Sequence, residues 1–203
     1  MDDKMLIRKS LRDSIRLRRC ALTNQEQTIA SLRIVNQVMN NPRVQAARTV
    51  AIFLSFDGEI NTQPIIKALW LSGKQIYLPV LHPFSIGYLL FLHYTANTHL
   101  VINQFKIREP CLDITTLISL IDLDIVFTPL VAFNEQGYRL GMGRGFYDRM
   151  LKHWYLKSRF YPIGLAHDCQ RIEDIFPVEK WDIVLPEIIT PSHTWLISTG
   201  IKN

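Results

Sequence analysis

The chain has few cysteines, and they lie far apart. Cys20, Cys111 and Cys169 are odd in number, and no two of them form a C-x-x-C pair. Disulfide frameworks need paired cysteines and zinc sites need closely spaced ligands, so this spacing argues against both and is typical of a reducing cytosol. The six histidines show no ligand spacing either, and none lies near a credible nucleophile. The sequence therefore gives no support to a serine or cysteine hydrolase.

Long apolar runs are also missing. No stretch reaches the roughly eighteen apolar residues that a membrane-spanning helix needs, so no membrane partner is expected. The segment Met1–Lys4 is charged and has no apolar segment behind it, so we expect no signal peptide and a cytoplasmic location. No repeat or low-complexity linker interrupts the 203 residues. A single domain spanning residues 1–203, acting as a monomer, is therefore the expectation.

Charge is moderate and of both signs. The chain is 48% hydrophobic and 20% charged, as in an ordinary globular protein, and its net charge is +5. A positive balance suits anionic partners, which include nucleotides, polyanionic cofactors and nucleic acid. The charge alone does not choose among these partners.

Apolar segments that suit strands alternate with helical patterns along most of the chain. Strands are predicted at 49–56, 76–81, 88–94, 124–133, 161–166 and 183–189. Helices are predicted at 4–21, 24–39, 64–71, 114–121 and 146–157. This alternation is typical of a parallel α/β sheet covered on both faces, in which ligands bind at the carboxyl ends of the strands. Three candidate sites follow such strands: Glu59, a glycine-rich loop and Asp182.

The glycine-rich loop is the most unusual segment. Four of the nine glycines fall between Gly137 and Gly145, and three of these alternate with other residues. Glycine allows close approach of a ligand to the backbone, and a helix that starts after the loop offers free N–H groups. With Arg139 and Arg144 beside it, the loop predicts a phosphate site rather than a plain exposed turn. The spacing is neither that of a P-loop nor G-x-G-x-x-G.

The first predicted helix carries a basic stripe. Lys4, Arg8, Arg12 and Arg16 follow one another at i, i+4 spacing, beside an apolar stripe. Such like charges repel by roughly 0.2–0.5 kcal/mol per pair, so the stripe either lies on a solvated face or meets a polyanion. The polyanion could be a polyphosphate or a nucleic-acid backbone. A nucleotide- or RNA-binding module and an enzyme acting on another phosphorylated small molecule are therefore alternatives.

Three carboxylates admit both a functional and a plain interpretation. Asp148 closes the glycine loop, where it could cap the helix or bind Mg²⁺ beside phosphate. Asp182 could be the second metal carboxylate or a surface acid. Glu59 could be a turn residue, or it could accept N–H groups from a heterocycle or position a reacting nitrogen. Phe146 and Tyr147 could pack in the core or wall a planar ligand.

The residues around the loop carry a resemblance to a known family. The chain has P-x-x-A-F at Pro129–Phe133, then Gly137, then R-L-G-M-G-R-G-F-Y-D-R at Arg139–Arg149. This resembles the signature of the 5-formyltetrahydrofolate cyclo-ligases. Further matches follow the family's order at 18–23, 53–62, 73–79, 109–110, 170, 177 and 182–190.

The resemblance implies a three-layer α/β/α domain with a mostly parallel, Rossmann-like sheet. It also implies an ATP- and Mg²⁺-dependent ligase that cyclises 5-formyltetrahydrofolate, with or without a polyglutamate tail, and that does not bind nucleic acid. The ATP contacts would be Arg8, Lys9, Ser10, Leu11, Arg12, Arg139, Leu140, Gly141, Met142, Gly143, Arg144, Gly145, Phe146 and Tyr147. The folate contacts would be Leu54, Glu59, Met142, Gly143, Arg144, Gly145 and Phe146. The catalytic groups would be Glu59, Arg139, Arg144 and Asp148, with Asp148 and Asp182 on the metal.

The chain departs from the family pattern at four positions. Arg8 stands where the family often has lysine, and Phe146 replaces the first tyrosine of a usual pair. Trp181 and Pro186 stand where histidine and aspartate are common. The last two changes flank Asp182 and so concern the expected metal site.

Overall fold

The structure, a computed structural model, describes residues 3–152, 154–157, 160–173 and 177–198. Within these ranges the helices are α1 (Asp3–Cys20), α2 (Asn24–Met39), α3 (Pro42–Ala46), α4 (Gln63–Leu71), α5 (Phe146–Leu151) and α6 (Trp154–Lys157). The strands are β1 (Thr49–Ala51), β2 (Gln75–Leu81), β3 (Leu89–Tyr94), β4 (Leu100–Ile102), β5 (Arg108–Pro110), β6 (Leu117–Ile118), β7 (Ile125–Pro129), β8 (Ala132–Phe133), β9 (Arg139–Leu140), β10 (Tyr161–Leu165), β11 (Glu187–Ile189) and β12 (Thr194–Leu196).

One large sheet organises the fold. Its strand order is β12–β11–β10–β7–β1–β2–β3–β6. The five strands from β11 to β2 are parallel. At one edge β12 pairs antiparallel with β11, and at the other β3 pairs antiparallel with both β2 and β6. Two small hairpins, β4–β5 and β8–β9, lie outside this sheet. The predicted mostly parallel sheet is therefore confirmed.

Both faces of the sheet are covered, because side chains alternate across a strand. Val50 packs with α2 and α4 in one hydrophobic cluster, and the next residue, Ala51, belongs to a second cluster with Leu151 of α5. A parallel sheet buried in this way needs continuous apolar strands, which β1 and β7 have. The three-layer α/β/α architecture is confirmed.

Local sequence signals explain several helix boundaries. The side chain of Thr23 accepts a hydrogen bond from the Glu26 N–H, and the Glu26 carboxylate accepts one from the Thr23 N–H, so α2 begins with a capping box. Helix α4 has a proline in its first turn and is followed by Gly73 at φ +78°, close to the predicted bounds of 64–71.

Other predictions were wrong. Residues 114–121 form two 3-10 turns around β6 instead of a helix, and the strand predicted at 49–56 ends at Ala51. The helix predicted at 146–157 is α5 and α6, and residue 153 lies outside the described residues.

Helix α1 lies with its basic side inward. Arg8 and Arg19 are buried, whereas Met5, Ile7 and Leu17 are exposed. The solvated-face interpretation of the basic stripe is therefore wrong for Arg8. In the described part of the chain, no helix combines the length and apolar content that crossing a bilayer requires.

Candidate functional site

Three adjoining cavities lie at the carboxyl ends of β1, β2 and β7. The central cavity, of about 420 Å³, is lined by Glu59, Arg139, Arg144 and Asp148, among others. Glu59 also lines a smaller apolar cavity of about 120 Å³. Arg144 and Asp148 also line a basic cavity of about 640 Å³. The central cavity thus joins an apolar chamber to a basic one.

The glycine loop forms the junction between these chambers. Gly143 has φ +91° and Gly145 has φ +69°, a left-handed conformation that side chains with a Cβ disfavour. Gly145 directly precedes α5. The Nε of Arg12 donates a hydrogen bond to the carbonyl of Gly141 at 2.8 Å, so α1 is fixed against the loop. The loop therefore has the glycine conformations that its sequence suggests, and its role as a phosphate site stays a prediction.

Arg139 and Asp148 form an ion pair at the junction. Nη2 of Arg139 donates to Oδ1 of Asp148 at 2.6 Å, and the Arg139 side chain is only 2% exposed. Burial lowers the pKa of Arg139, and Asp148 opposes that effect. The buried Nε of Arg139 has no hydrogen-bond partner among the described residues. An unsatisfied buried donor is costly, and an anionic ligand would relieve it.

The other predicted metal ligand, Asp182, is held by Arg8. Nη1 and Nη2 of Arg8 donate to Oδ2 and Oδ1 of Asp182 at 2.6 and 2.8 Å, and the N–H of Glu179 donates to Oδ2. The Asp182 side chain is 2% exposed, so it lies beneath the basic cavity instead of on its wall. Among the described residues, no group of three or more histidine, cysteine, aspartate or glutamate side chains could hold a metal.

Glu59 is a buried carboxylate between the central and apolar cavities. Its Oε2 accepts a hydrogen bond from the N–H of Phe56 at 3.3 Å, and its Oε1 lies 3.9 Å from Nη1 of Arg19. Burial raises the pKa of Glu59 to about 7, while Arg19 opposes the rise and Asp57 adds to it. The side chain can therefore exchange a proton near neutral pH.

Comparison with known proteins fits this site. The sequence profile of the 5-formyltetrahydrofolate cyclo-ligase family matches residues 4–191. The chain belongs to this family. The predicted family, and with it the predicted enzyme class, is confirmed.

Relatives in bacteria and solved structures agree. The 5-formyltetrahydrofolate cyclo-ligase of Escherichia coli strain K12 is 54% identical over 182 residues, covering 89% of this chain and 98% of that protein. The Haemophilus influenzae cyclo-ligase is 47% identical, covering 90% and 96%. The NMR structure of the Aquifex aeolicus 5,10-methenyltetrahydrofolate synthetase has a TM-score of 0.81 and 25% identity, covering 97% and 96% of the two chains.

The structure brings some cyclo-ligase site predictions together and not others. Arg8 and Arg12 line the basic cavity, whereas Lys9 and Ser10 line a separate shallow depression. Leu11 and Leu140 pack in a hydrophobic cluster instead of lining a cavity. The ATP contacts at these positions stay predictions.

Predicted folate contacts surround the apolar side of the cyclo-ligase cleft. Leu54 lines the apolar cavity, Phe146 lines both it and the central cavity, and Met142 lines the central cavity. The hydroxyl-bearing Tyr147 is also on both walls, where burial and the neighbouring Glu59 raise its pKa.

Sequence reasoning missed the loop of the β4–β5 hairpin, which covers the cleft. The ring of Phe105 lies 6.0 Å from that of Phe146, and the guanidinium of Arg144 lies 4.0 Å from the centre of the Phe105 ring. Phe105 and Lys106 line the central cavity. No sequence motif marks this loop. In the structure Phe105 is half-buried, and the next residue, Lys106, is left-handed with φ +61°.

The inward basic face of α1 also bears on the nucleic-acid alternative. Arg16 and Arg19 bind Asp57, Arg12 binds the glycine loop and Arg8 binds Asp182. These arginines face the cleft of the cyclo-ligase fold. A nucleic-acid backbone would need them on an open surface, so the stripe does not support that partner.

Proposed function

We propose that the chain converts 5-formyltetrahydrofolate to 5,10-methenyltetrahydrofolate. As family membership implies, the reaction would consume ATP, release ADP and phosphate, and require bound Mg²⁺. The observation that carries the proposal is the joined cleft. An apolar chamber with a titratable carboxylate meets a basic chamber across the glycine loop. A phosphoryl transfer to a folate needs this arrangement, because the two substrates differ in polarity and must react at one point.

The basic cavity suits the ATP triphosphate. Its wall includes Arg8, Arg12, Arg144, Arg149 and Lys152. Arginine matches phosphate oxygens with two parallel donors, and clustered cations neutralise the charge that accumulates in phosphoryl transfer. The glycine loop would let the γ-phosphate approach the backbone closely.

Asp148 suits Mg²⁺ better than Asp182 does. Asp148 lines the basic cavity and its side chain is 20% exposed, so a carboxylate oxygen can meet a cation beside phosphate. Asp182 would first have to leave Arg8. Bound Mg²⁺ would neutralise the phosphate oxygens.

The apolar side suits the pteridine end of the folate. Leu54 and the rings of Phe105 and Phe146 supply flat apolar walls, and Glu59 supplies a buried acceptor for N–H groups. The reacting nitrogen of the substrate carries such an N–H. The 5-formyl oxygen would then point to the glycine loop and the phosphates beyond it.

The proposed reaction has two steps. First the formyl oxygen attacks the γ-phosphorus, the bond to ADP breaks, and ADP leaves, while Arg144 and Arg139 stabilise the charge. Then N10 attacks the formyl carbon, Glu59 accepts the N10 proton, and the carbon–oxygen bond breaks as phosphate leaves. No covalent bond to the protein forms, which fits a cleft without a nucleophile at its centre.

A direct assay tests the proposal. Purified protein, Mg²⁺, ATP and 5-formyltetrahydrofolate should give a growing methenyl-folate absorbance, with one ADP formed per product. Omitting ATP should abolish the signal. If the absorbance stays flat with all components present, and other phosphorylated substrates give turnover, the folate proposal fails.

Asp148→Asn tests the junction. The substitution keeps an oxygen for Arg139 but removes the negative charge that would meet Mg²⁺, so turnover should fall about a hundredfold or more, as for loss of a key electrostatic group. The Mg²⁺ concentration for half-maximal rate should rise. Asp13→Asn, at an exposed position on α1, is the matched control and should keep the wild-type rate. Wild-type rates in Asp148→Asn would remove this residue from the mechanism.

A further inference from the structure

A buried arginine lies at the end of α1, outside the residues that the proposed mechanism uses. The side chain of Arg19 is 0% exposed. Burying a guanidinium is expensive unless its donors and charge are satisfied. The contacts of the Arg19 guanidinium show which parts of the fold this buried charge stabilises.

Arg19 holds the turn that carries Glu59. Its Nε donates to the carbonyl of Asp57 at 2.8 Å and its Nη2 donates to the Asp57 carboxylate at 2.9 Å. Its Nη1 donates to the carbonyl of Leu130 at 3.4 Å and lies 3.9 Å from Oε1 of Glu59. One guanidinium therefore joins the first helix, the Asp57–Glu59 turn and the end of β7.

The turn needs such support, because its backbone is unusual. Asp57 has φ +52° and Gly58 has φ +73°, two successive left-handed residues. The non-glycine residue costs of order 1 kcal/mol or more in that conformation. A Cβ on Gly58 would stand 2.9 Å from the Cys20 sulfur, so the turn also lies directly against the end of α1. The contacts from Arg19 and Arg16 to Asp57 offset this strain.

Among the charged groups that face Glu59, Arg19 is the nearest cation. Asp57, on the same turn, adds a negative charge, and Tyr147, from α5, adds a neutral hydroxyl. His167 lies against the backbone of Gly58 and Glu59, but burial, and next to it Arg19, lower its pKa to about 4, so it is neutral at pH 7. Arg139 lines the same central cavity but is paired with Asp148.

We propose that Arg19 is a positioning residue that fixes the Glu59 carboxylate in the cleft and keeps it able to ionise there. The inference rests on the proposed function, in which Glu59 accepts a proton from the folate nitrogen. Arg19 acts through Glu59 and does not touch the substrate. Since α1 also carries Arg8 and Arg12, one helix then orders both halves of the cleft.

The experiment follows the titration of Glu59 itself in the full chain, by ¹³C NMR of labelled glutamate carboxylates assigned with Glu59→Gln. In Arg19→Met the apparent pKa of Glu59 should rise by about one unit or more, since an opposing charge in a buried setting is gone. Arg16→Met is the matched control, because it also loses a contact to Asp57. The Arg16 side chain is 39% exposed, so this substitution should raise the pKa of Glu59 by less.

Kinetics give a second readout. In Arg19→Met, kcat/KM for 5-formyltetrahydrofolate at pH 7 should fall about fivefold for the first unit by which the pKa of Glu59 rises above about 7, and about tenfold for each further unit. It should recover as the pH is increased. The KM for ATP should change much less. In a Glu59→Gln background, Arg19→Met should cause no further change in the pH profile, because the group through which it acts is absent.

Asp57→Asn keeps the test decisive even where Arg19→Met does not fold. Asparagine tolerates the left-handed conformation, and the substitution removes the anion that competes for Arg19, so the pKa of Glu59 should fall. An unchanged Glu59 titration in folded Arg19→Met, or an unchanged or raised one in Asp57→Asn, overturns the proposal. The titration needs no substrate, so it decides the role of Arg19 separately from any failure of the folate assay.

Discussion

At the scale of single residues, the cleft concentrates groups whose environment conflicts with their chemistry. Glu59 is a carboxylate in an apolar wall, with its pKa raised to about 7, and Arg139 is a buried cation with an unsatisfied Nε. Such groups cost stability unless a charge or hydrogen-bond partner offsets their burial. Perturbed groups of this kind cluster at functional sites because chemistry near neutral pH requires them.

Glu59 should therefore make the protein less stable as the pH rises. Below about pH 4.5 the folded and unfolded chains both hold this proton; between about 4.5 and 7 only the folded chain does, so its stability falls with rising pH. The shift from 4.5 to about 7 corresponds to roughly 3 kcal/mol, fully lost above about pH 7. The stability of Glu59→Gln should not fall in this way as the pH rises. The same variant should also lose most of its turnover.

Urea unfolding of both proteins between pH 4.5 and 8 measures the effect. The difference in unfolding free energy between Glu59→Gln and wild type should grow by roughly 3 kcal/mol across that range. Glu173→Gln, at a carboxylate that is 82% exposed, is the control and should follow the wild-type curve. Parallel curves for Glu59→Gln and wild type would show that Glu59 titrates as an ordinary surface acid.

At the scale of elements, α1 connects the two chambers. Arg8 and Arg12 line the basic cavity, and Arg16 and Arg19, two turns further along, bind the turn that bears Glu59. The i, i+4 spacing of Arg8, Arg12 and Arg16, with the i, i+3 step to Arg19, puts these side chains on one face of the helix. The Asp182 and Asp57 carboxylates offset the mutual repulsion that this spacing would cause in water.

Arg12→Gln should weaken ATP binding more than folate binding. Hydrogen bonds to charged groups contribute roughly 1.5–3 kcal/mol, so the KM for ATP should rise about tenfold or more while the KM for 5-formyltetrahydrofolate changes little. Arg18→Gln, at an exposed position of the same helix and away from the basic cavity, is the matched control. Equal changes in both KM values would argue that Arg12 supports the glycine loop only.

At the scale of the whole molecule, the two hydrophobic clusters hold the sheet that places the cleft. Helices α2 and α4 cover one face, and the glycine loop leads into α5 on the other. The cleft lies at the carboxyl ends of the strands, away from the middle of either cluster. Leu54 of the first cluster lines the apolar cavity, whereas Leu69 of α4 lines none of the three cavities. Damage at Leu69 should therefore affect stability without changing substrate affinity.

Leu69→Ala and Leu71→Ala form a matched pair in α4. Leu69 is fully buried in the first cluster, and Leu71 is 90% exposed. Leu69→Ala should cost about 2–5 kcal/mol of unfolding free energy through lost burial and a cavity, whereas Leu71→Ala should change it by less than about 0.5 kcal/mol. The KM values of folded Leu69→Ala should match wild type. A large rise in either KM would mean that removing the Leu69 side chain disturbs the cleft as well as the core.

The sequence by itself determined the family, the α/β class and the glycine loop. Apolar runs predict buried strands because a strand that is covered on both faces needs apolar side chains at successive positions. The capping box at Thr23 marks a helix start because its contacts lie within one turn. The loop could be recognised because left-handed Gly143 and Gly145 tolerate few other residues.

Only the tertiary structure decided which charges meet. It paired Asp182 with Arg8, brought Arg19 to Glu59 and folded the β4–β5 loop over the cleft. These contacts join residues far apart in the chain, and no local pattern encodes such a pairing. The basic stripe of α1 shows the difference: its spacing fixed which residues share a face. Packing against the cleft decided that this face turns inward, because the Asp182 and Asp57 carboxylates and the Gly141 carbonyl lie there.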